Sequence, residues 1–156
     1  MKTPLIRRLV ESFPLISYRT FLVVMTIIMT SSFLHAAELK VMAHDSVTVS
    51  QLNRSELRQI FTGHRQYWQD GTKITVFVLQ DSDEIHQQFC RDILQMFPYQ
   101  LSRLWDQLTY SGQGVTPVRV STYNALIKAL ESTEGAIGYG DKNDIVKLRR
   151  IEVEEK

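Results

Sequence analysis

The chain contains one cysteine, no long hydrophobic run and almost no excess of charge of either sign. Its 156 residues include a single thiol, Cys90, so an internal disulfide is impossible. A buried thiol on a helix is the expected state of Cys90, with a reactive or intermolecular thiol as the alternative. The most apolar stretch, residues 21–29, has only nine residues, whereas a membrane-spanning helix needs about 20. These features exclude a fold held together by disulfides and disfavour a membrane anchor.

Catalytic motifs are also missing from the sequence. No G-x-S-x-G elbow, no phosphate-binding P-loop and no paired Cys/His arrangement occurs. His44, His64 and His86 are dispersed, without the spacing of metal ligands. Asp81 and Asp83 lie at a predicted helix start, where acidic residues stabilise the helix dipole. We therefore expect no catalytic residues, no metal, no cofactor and no enzymatic activity.

The first 37 residues have the pattern of a secretory signal peptide. Four basic residues and one acidic residue precede the apolar run at 21–29, and small residues follow it up to Ala36 and Ala37. A basic start, a short apolar run and a small-residue end are typical of a signal peptide. We expect cleavage after Ala36 or Ala37 and a single domain over residues 38–156. The protein would then be periplasmic or otherwise exported, and not embedded in the membrane.

Removal of that segment would leave a nearly neutral domain. Of the 18 basic and 17 acidic residues, four and one lie before residue 38, which leaves 14 and 16 and a net charge of −2. Proteins that bind nucleic acids present an excess of basic residues. We therefore expect no nucleic-acid partner.

Apolar periodicity predicts alternating strands and helices after residue 38. The expected strands are 39–43, 74–79, 118–120, 136–139 and 146–153, with the last at an edge of the sheet. The first helix is predicted to begin at Asn53, with Glu56 completing a capping box, and the second at Asp81, with Glu84 in the same role. Two more are predicted to begin at Pro98 and Ser121. This order predicts an α/β fold.

Two segments of the chain resemble motifs of a known family. The first reads LRQIFTG at residues 57–63 and continues to Trp68, Asp70 and Gly71; the second reads EGAIGY at residues 134–139. They are similar to the L-x-x-I-F-x-G…W-x-D-G and P-G-A-I-G-Y motifs of the substrate-binding proteins of phosphate ABC transporters. The resemblance covers residues 39–139. It implies a single lobe of a type 2 periplasmic binding protein, with a mixed sheet and flanking helices, as in the short relatives that have one lobe.

The same resemblance implies where an anion would bind. In the two-lobe family members, an R-x-x-x-S-G-T segment opens a helix whose backbone N–H groups and hydroxyls hold phosphate. Alignment on Phe89 places the arginine at Leu79 and the Ser-Gly-Thr at residues 83–85, and a slip of one residue places Ser82 at the serine position. The arginine is then missing, and Asp81, Asp83 and Glu84 bring negative charge to this position. Arginine at 79 with Ser-Gly at 83–84 would restore the family pattern.

Two functions follow from these observations. The first is a solute-binding component that takes phosphate or another small oxyanion. Its candidate ligand-binding residues are Ser82, Thr75, Ser111, Gly112 and Gly114. The second is a non-catalytic interaction module that kept the fold and lost the ligand. A lobe without its partner lobe exposes a former cleft wall, which could bind a partner protein or a second copy of the chain.

Overall fold

The computed structural model describes residues 38–112, 115–141 and 148–154 of the chain. The predicted signal peptide, Gly114 and the first two residues of the predicted strand 146–153 lie outside these ranges. In the described part, every helix is too short or too polar to cross a lipid bilayer.

A six-stranded mixed sheet forms the centre of the fold, in the order β2-β6-β1-β5-β3-β4. The strands are β1 Leu39–Ala43, β2 Gln51–Asn53, β3 Thr75–Val78, β4 Val118–Arg119, β5 Ala136–Asp141 and β6 Arg149–Glu154. β3 runs parallel to both β4 and β5, and β2 runs parallel to β6. β1 runs antiparallel to its neighbours β5 and β6.

The helices flank this sheet and confirm the predicted fold class. They are α1 Arg54–Phe61, α2 Glu84–Gln88, α3 Pro98–Ser111 and α4 Tyr123–Ser132, and a π-helical segment, Phe89–Leu94, continues α2. The segment from α2 to α3 connects the parallel strands β3 and β4, as parallel pairing requires a long crossover.

The prediction that the last strand lies at an edge of the sheet is wrong. β6 lies between β2 and β1, and β2 and β4 form the edges. The difference arises because Gln51–Asn53 pairs with residues 152–154. A strand of three residues is too short for its apolar periodicity to be recognised.

Local capping explains where the helices begin. Asn53 Oδ1 accepts from the Glu56 N–H at 2.9 Å and Glu56 Oε2 accepts from the Asn53 N–H at 3.0 Å, so the predicted capping box is confirmed. Asp83, and not Asp81, caps α2 by accepting from the N–H of Ile85 at 2.9 Å. The α4 cap is Thr122, one residue after the predicted Ser121.

The core joins the two segments that resemble the family motifs. Phe61, from the first, lies 4.8 Å from Phe89 between ring centroids, and Phe89 stacks at 4.1 Å on Tyr139, from the second. Trp105 on α3 donates its Nε1–H to the carbonyl oxygen of Phe61 at 2.7 Å. Large aromatic side chains dominate core energetics because each buries about 150–250 Å². These segments therefore build the packing that supports the end of β3.

Candidate functional site

The carboxyl ends of β3, β4 and β5 meet at one edge of the sheet, because the three strands are parallel. Ligands of open α/β folds generally bind at such an edge. The turn that follows β3, residues 80–83, lies there and is called the β3 turn below. Arg119 is its neighbour on β4, since Val78 and Arg119 are partners in the sheet register.

Asp81, in the β3 turn, contacts side chains from two other elements. Ser102 on α3 donates its hydroxyl to Asp81 Oδ2 at 2.5 Å, and Arg119 Nε lies 3.6 Å from Asp81 Oδ1. The Arg119 guanidinium in turn lies 5.0 Å from the centre of the Trp105 ring, a cation–π contact that orients it. Oδ1 is shielded from solvent and accepts no hydrogen bond from the described residues. A hydroxyl and a guanidinium are donors suited to an oxyanion, and here they face the carboxylate of the chain itself.

Two more carboxylates follow Asp81. Asp83 caps α2, and the exposed Glu84 lies in its first turn. The turn and helix start therefore carry three carboxylates, of which Asp81 is paired with Arg119. An anion placed about 4 Å from one uncompensated carboxylate is repelled by about 4 kcal/mol at an effective dielectric constant of 20. The β3 turn is thus electrostatically unfavourable for a further anion.

A buried polar network lies behind the β3 turn. The Tyr139 hydroxyl accepts from the Leu79 N–H at 2.9 Å and lies 2.7 Å from His86 Nδ1. His86 Nε2 lies 3.5 Å from the sulfur of Cys90. A neutral His86 satisfies every contact if Tyr139 donates to Nδ1 and the Nε2–H faces Cys90. The network therefore fixes the end of β3 through its backbone.

Burial keeps the members of this network uncharged. It lowers the pKa of His86, with opposing contributions from Asp81 and Asp83, which raise it, and a further lowering by Arg119. Burial raises the pKa of the Cys90 thiol to about 12 and raises that of the Tyr139 hydroxyl above its usual value. A reactive cysteine needs an accessible thiolate, so Cys90 has the character of a packing residue. Within the described ranges, no cluster of three or more His, Cys, Asp or Glu side chains could hold a metal ion.

The structure places the predicted ligand-binding residues in different parts of the fold. Ser82 is exposed in the β3 turn. Thr75 lies at the opposite end of β3, where its N–H donates to the Gly135 carbonyl at 3.3 Å. Ser111 and Gly112 lie at the C-terminal end of α3, which Gly112 ends with a φ of 64°. Of the predicted residues that are described, Ser82 alone belongs to the β3 turn; a role in ligand binding stays a prediction for all five.

Sequence reasoning missed the contacts of Asp81 with Ser102 and Arg119. The local pattern predicts a helix cap for Asp81 and neither of these partners. The parallel order of β3 and β4 is a signal that could have found Arg119, because the ends of adjacent parallel strands lie side by side. Ser102 had no such signal, since its position depends on how α3 packs.

The mixed sheet, its parallel strand ends and the flanking helices define the fold of a periplasmic binding protein. Three solved structures are similar to this fold. A protein from Clostridium perfringens, solved with bound phosphate and assigned as a phosphate ABC transporter substrate-binding protein, has a TM-score of 0.60 and 17% identity over 74% of this chain. An ABC-type phosphate transport receptor from Vibrio cholerae has a TM-score of 0.56 and 17% identity over 75%. PstS from Borrelia burgdorferi has a TM-score of 0.55 and 18% identity over 76%.

These likenesses confirm the resemblance at the level of the fold. The chain spans less than half of each solved protein, 44%, 46% and 47% of their respective lengths. No protein-family model matches the sequence, and no curated protein is significantly similar to it. The chain therefore has the fold of one part of the substrate-binding proteins of phosphate transporters.

Proposed function

We propose that this chain is an exported, non-enzymatic domain that keeps the lobe fold of a phosphate-binding protein but acts through protein contacts. The observation that carries the proposal is the position of Asp81, whose carboxylate lies against the Ser102 hydroxyl and the Arg119 guanidinium. These are the donors that an incoming oxyanion would use at the β3 turn. The domain thus supplies its own anion at that place.

A phosphate ion at the β3 turn would have to displace Asp81 and would then face Asp83 and Glu84. At about 4 Å, one carboxylate repels an anion by about 1 kcal/mol in water and about 4 kcal/mol at an effective dielectric constant of 20. A ligand with a dissociation constant of 1 mM has a binding free energy of only about 4 kcal/mol. We therefore expect the natural domain to bind phosphate more weakly than about 1 mM.

Oxyanion binding is the second candidate function, and one observation favours it. Arg119, Ser102 and the exposed Ser82 lie at or beside the β3 turn, and a solved protein of the same fold holds phosphate. Thr75, Ser111, Gly112 and Gly114 belong to this proposal only as further candidates, because those that are described lie away from the turn.

Calorimetry with phosphate separates the two functions. The natural domain is expected to give no heat at millimolar phosphate, whereas Asp81→Ala, which frees Ser102 and Arg119, is expected to gain measurable affinity. Asp81→Asn retains the side-chain volume and tests whether charge alone blocks the site. Asp92→Ala removes an exposed acidic residue outside the turn and serves as the matched control. Tight binding by the natural domain would refute the proposal in favour of solute binding.

Export is tested separately. The proposal of a signal peptide rests on residues 1–37, and mass spectrometry of the protein recovered from the periplasm measures its N-terminus. A chain that begins at Ala37 or Glu38 is expected. A full-length chain confined to the cytoplasm would contradict export.

A further inference from the structure

An open groove runs along α3, and Arg58 on α1 also lines it. Three cavities form it: a central one of about 730 Å³ shares lining residues with each of the other two, of about 480 and 210 Å³. This surface is called the α3 groove below. Its polar lining residues are Arg58, Arg91, Gln95, Gln100, Arg103 and Gln107.

The α3 groove is positively charged although the domain as a whole is not. Arg58, Arg91 and Arg103 line it, and none of the described lining residues is an aspartate or a glutamate. Arg58 donates to the backbone carbonyls of Leu94 and Gln95, at 2.7 and 3.2 Å, so no carboxylate neutralises it there. Arg91 and Arg103 are exposed and form no ion pair with another described residue. Three guanidinium groups in one concave surface, two of them without an ion-pair partner among the described residues, attract a negatively charged partner.

The shape of the groove favours an extended chain over a small ligand. α3 has 14 residues and is therefore about 21 Å long, the length of about six residues of extended peptide. Gln95, Gln100 and Gln107 each carry an amide group that can donate to the backbone carbonyls of such a peptide, although the Gln100 oxygen already accepts from the Phe97 N–H. Met96 and Leu104 supply apolar surface between them.

Exposed aromatic side chains lie at the N-terminal end of the groove. Phe97 and Tyr99 are 57% and 67% exposed and stack on each other with ring centroids 5.7 Å apart. Gln95, beside them, is the non-glycine residue with positive φ in the described part, at 51°. Tyrosine and arginine are the residues most enriched in the energetic centres of protein interfaces. The groove therefore has the composition of a protein-binding surface.

We propose that the α3 groove binds an extended acidic segment of a partner protein, with glutamate or aspartate facing Arg58, Arg91 and Arg103 and apolar side chains facing Met96 and Leu104. The inference rests on the proposed function, because it names the chemistry of the partner. The segment 1–37 does not match this charge, since it carries four basic residues and one acidic residue.

Fluorescence anisotropy with a labelled peptide of alternating glutamate and leucine, about six residues long, tests the proposal. The double variant Arg91→Glu/Arg103→Glu reverses two exposed charges that form no ion pair with another described residue. It is expected to weaken binding by about 10-fold or more. Lys128→Glu, an exposed charge reversal on α4 outside the groove, is the matched control and is expected to bind as the natural domain does. The same peptide with lysine in place of glutamate is expected not to bind.

Several results would overturn the proposal. They are the absence of binding at millimolar peptide, equal binding by the double variant, and equal loss in Lys128→Glu. If the peptide does not bind, but the natural domain sediments with vesicles of phosphatidylglycerol and the double variant does not, the groove would be assigned to a membrane surface instead. A dimer in analytical ultracentrifugation that the double variant dissociates would assign it to a second copy. If neither the peptide nor phosphate binds to the natural domain, only the proposal for the α3 groove is rejected. Tight phosphate binding would instead reject the proposed function.

Discussion

Acidification is expected to destabilise the domain through His86, which lies fully buried behind the β3 turn. Burial lowers the pKa of His86 in the folded state, whereas a histidine in the unfolded chain titrates near about 6.5. Below that pH the unfolded chain binds a proton that the folded chain excludes, so the free energy of unfolding falls as the pH falls. The loss is at most about 1.4 kcal/mol per pH unit until the pH reaches the folded pKa. The full contribution of His86 is present above pH 6.5.

Urea denaturation between pH 8 and pH 5 measures this effect. His86→Gln removes the titration and keeps a side-chain oxygen that can accept from Tyr139, while His64→Gln replaces an exposed histidine as the control. Between pH 7 and pH 5 the natural domain is expected to lose more stability than His86→Gln does, by at most about 2 kcal/mol, and His64→Gln should follow the natural domain. Three charged groups face His86: Asp81 from the turn, Asp83 from the α2 cap and Arg119 from β4. All three are present in both the natural domain and His86→Gln, so the difference between the two proteins reports the histidine. Parallel stability curves for the natural domain and His86→Gln would refute the reasoning.

Three further predictions concern the core and its caps. Tyr139→Phe leaves the Leu79 N–H and His86 Nδ1 without a partner and should cost about 2 kcal/mol in urea denaturation; a loss below about 0.5 kcal/mol would contradict the network. Cys90, with its pKa raised to about 12 by burial, should react with Ellman's reagent at least about 100-fold more slowly in the folded domain than in urea, and rapid labelling of the folded domain would contradict its burial. Asn53→Ala removes the α1 capping box and should cost about 1 kcal/mol, with the exposed Gln59→Ala as a control that loses less.

Features that depend on neighbouring residues could be predicted from the sequence. Asn53 and Glu56 are three residues apart, so their capping box follows from the pattern alone. Pro98 at the start of α3 is a second such case. The resemblance to the phosphate-transporter proteins likewise rests on short segments, and it gave the correct fold.

Features that depend on distant parts of the chain could not be predicted in the same way. β6 lies inside the sheet because three residues about 100 positions earlier pair with it. Asp81 has the local pattern of a helix cap, yet Ser102 and Arg119 engage its carboxylate and leave the cap to Asp83. A local pattern that tertiary contacts override is the expected failure of sequence reasoning at a candidate site.

The position of Leu79 decides how the family's anion site could be restored. Leu79 is fully buried and its N–H donates to Tyr139, so an arginine there would place an unpaired charge in the core. Such a burial costs several kcal/mol. The variant Leu79→Arg/Asp83→Ser/Glu84→Gly also keeps Asp81 against Ser102 and Arg119. We therefore expect this variant to be strongly destabilised in urea and to gain no phosphate affinity in calorimetry, whereas Asp81→Ala should stay folded and gain affinity. If the triple variant folds with natural stability and binds phosphate, then an arginine at 79 reaches the anion without entering the core, and Asp81 is not what blocks the site.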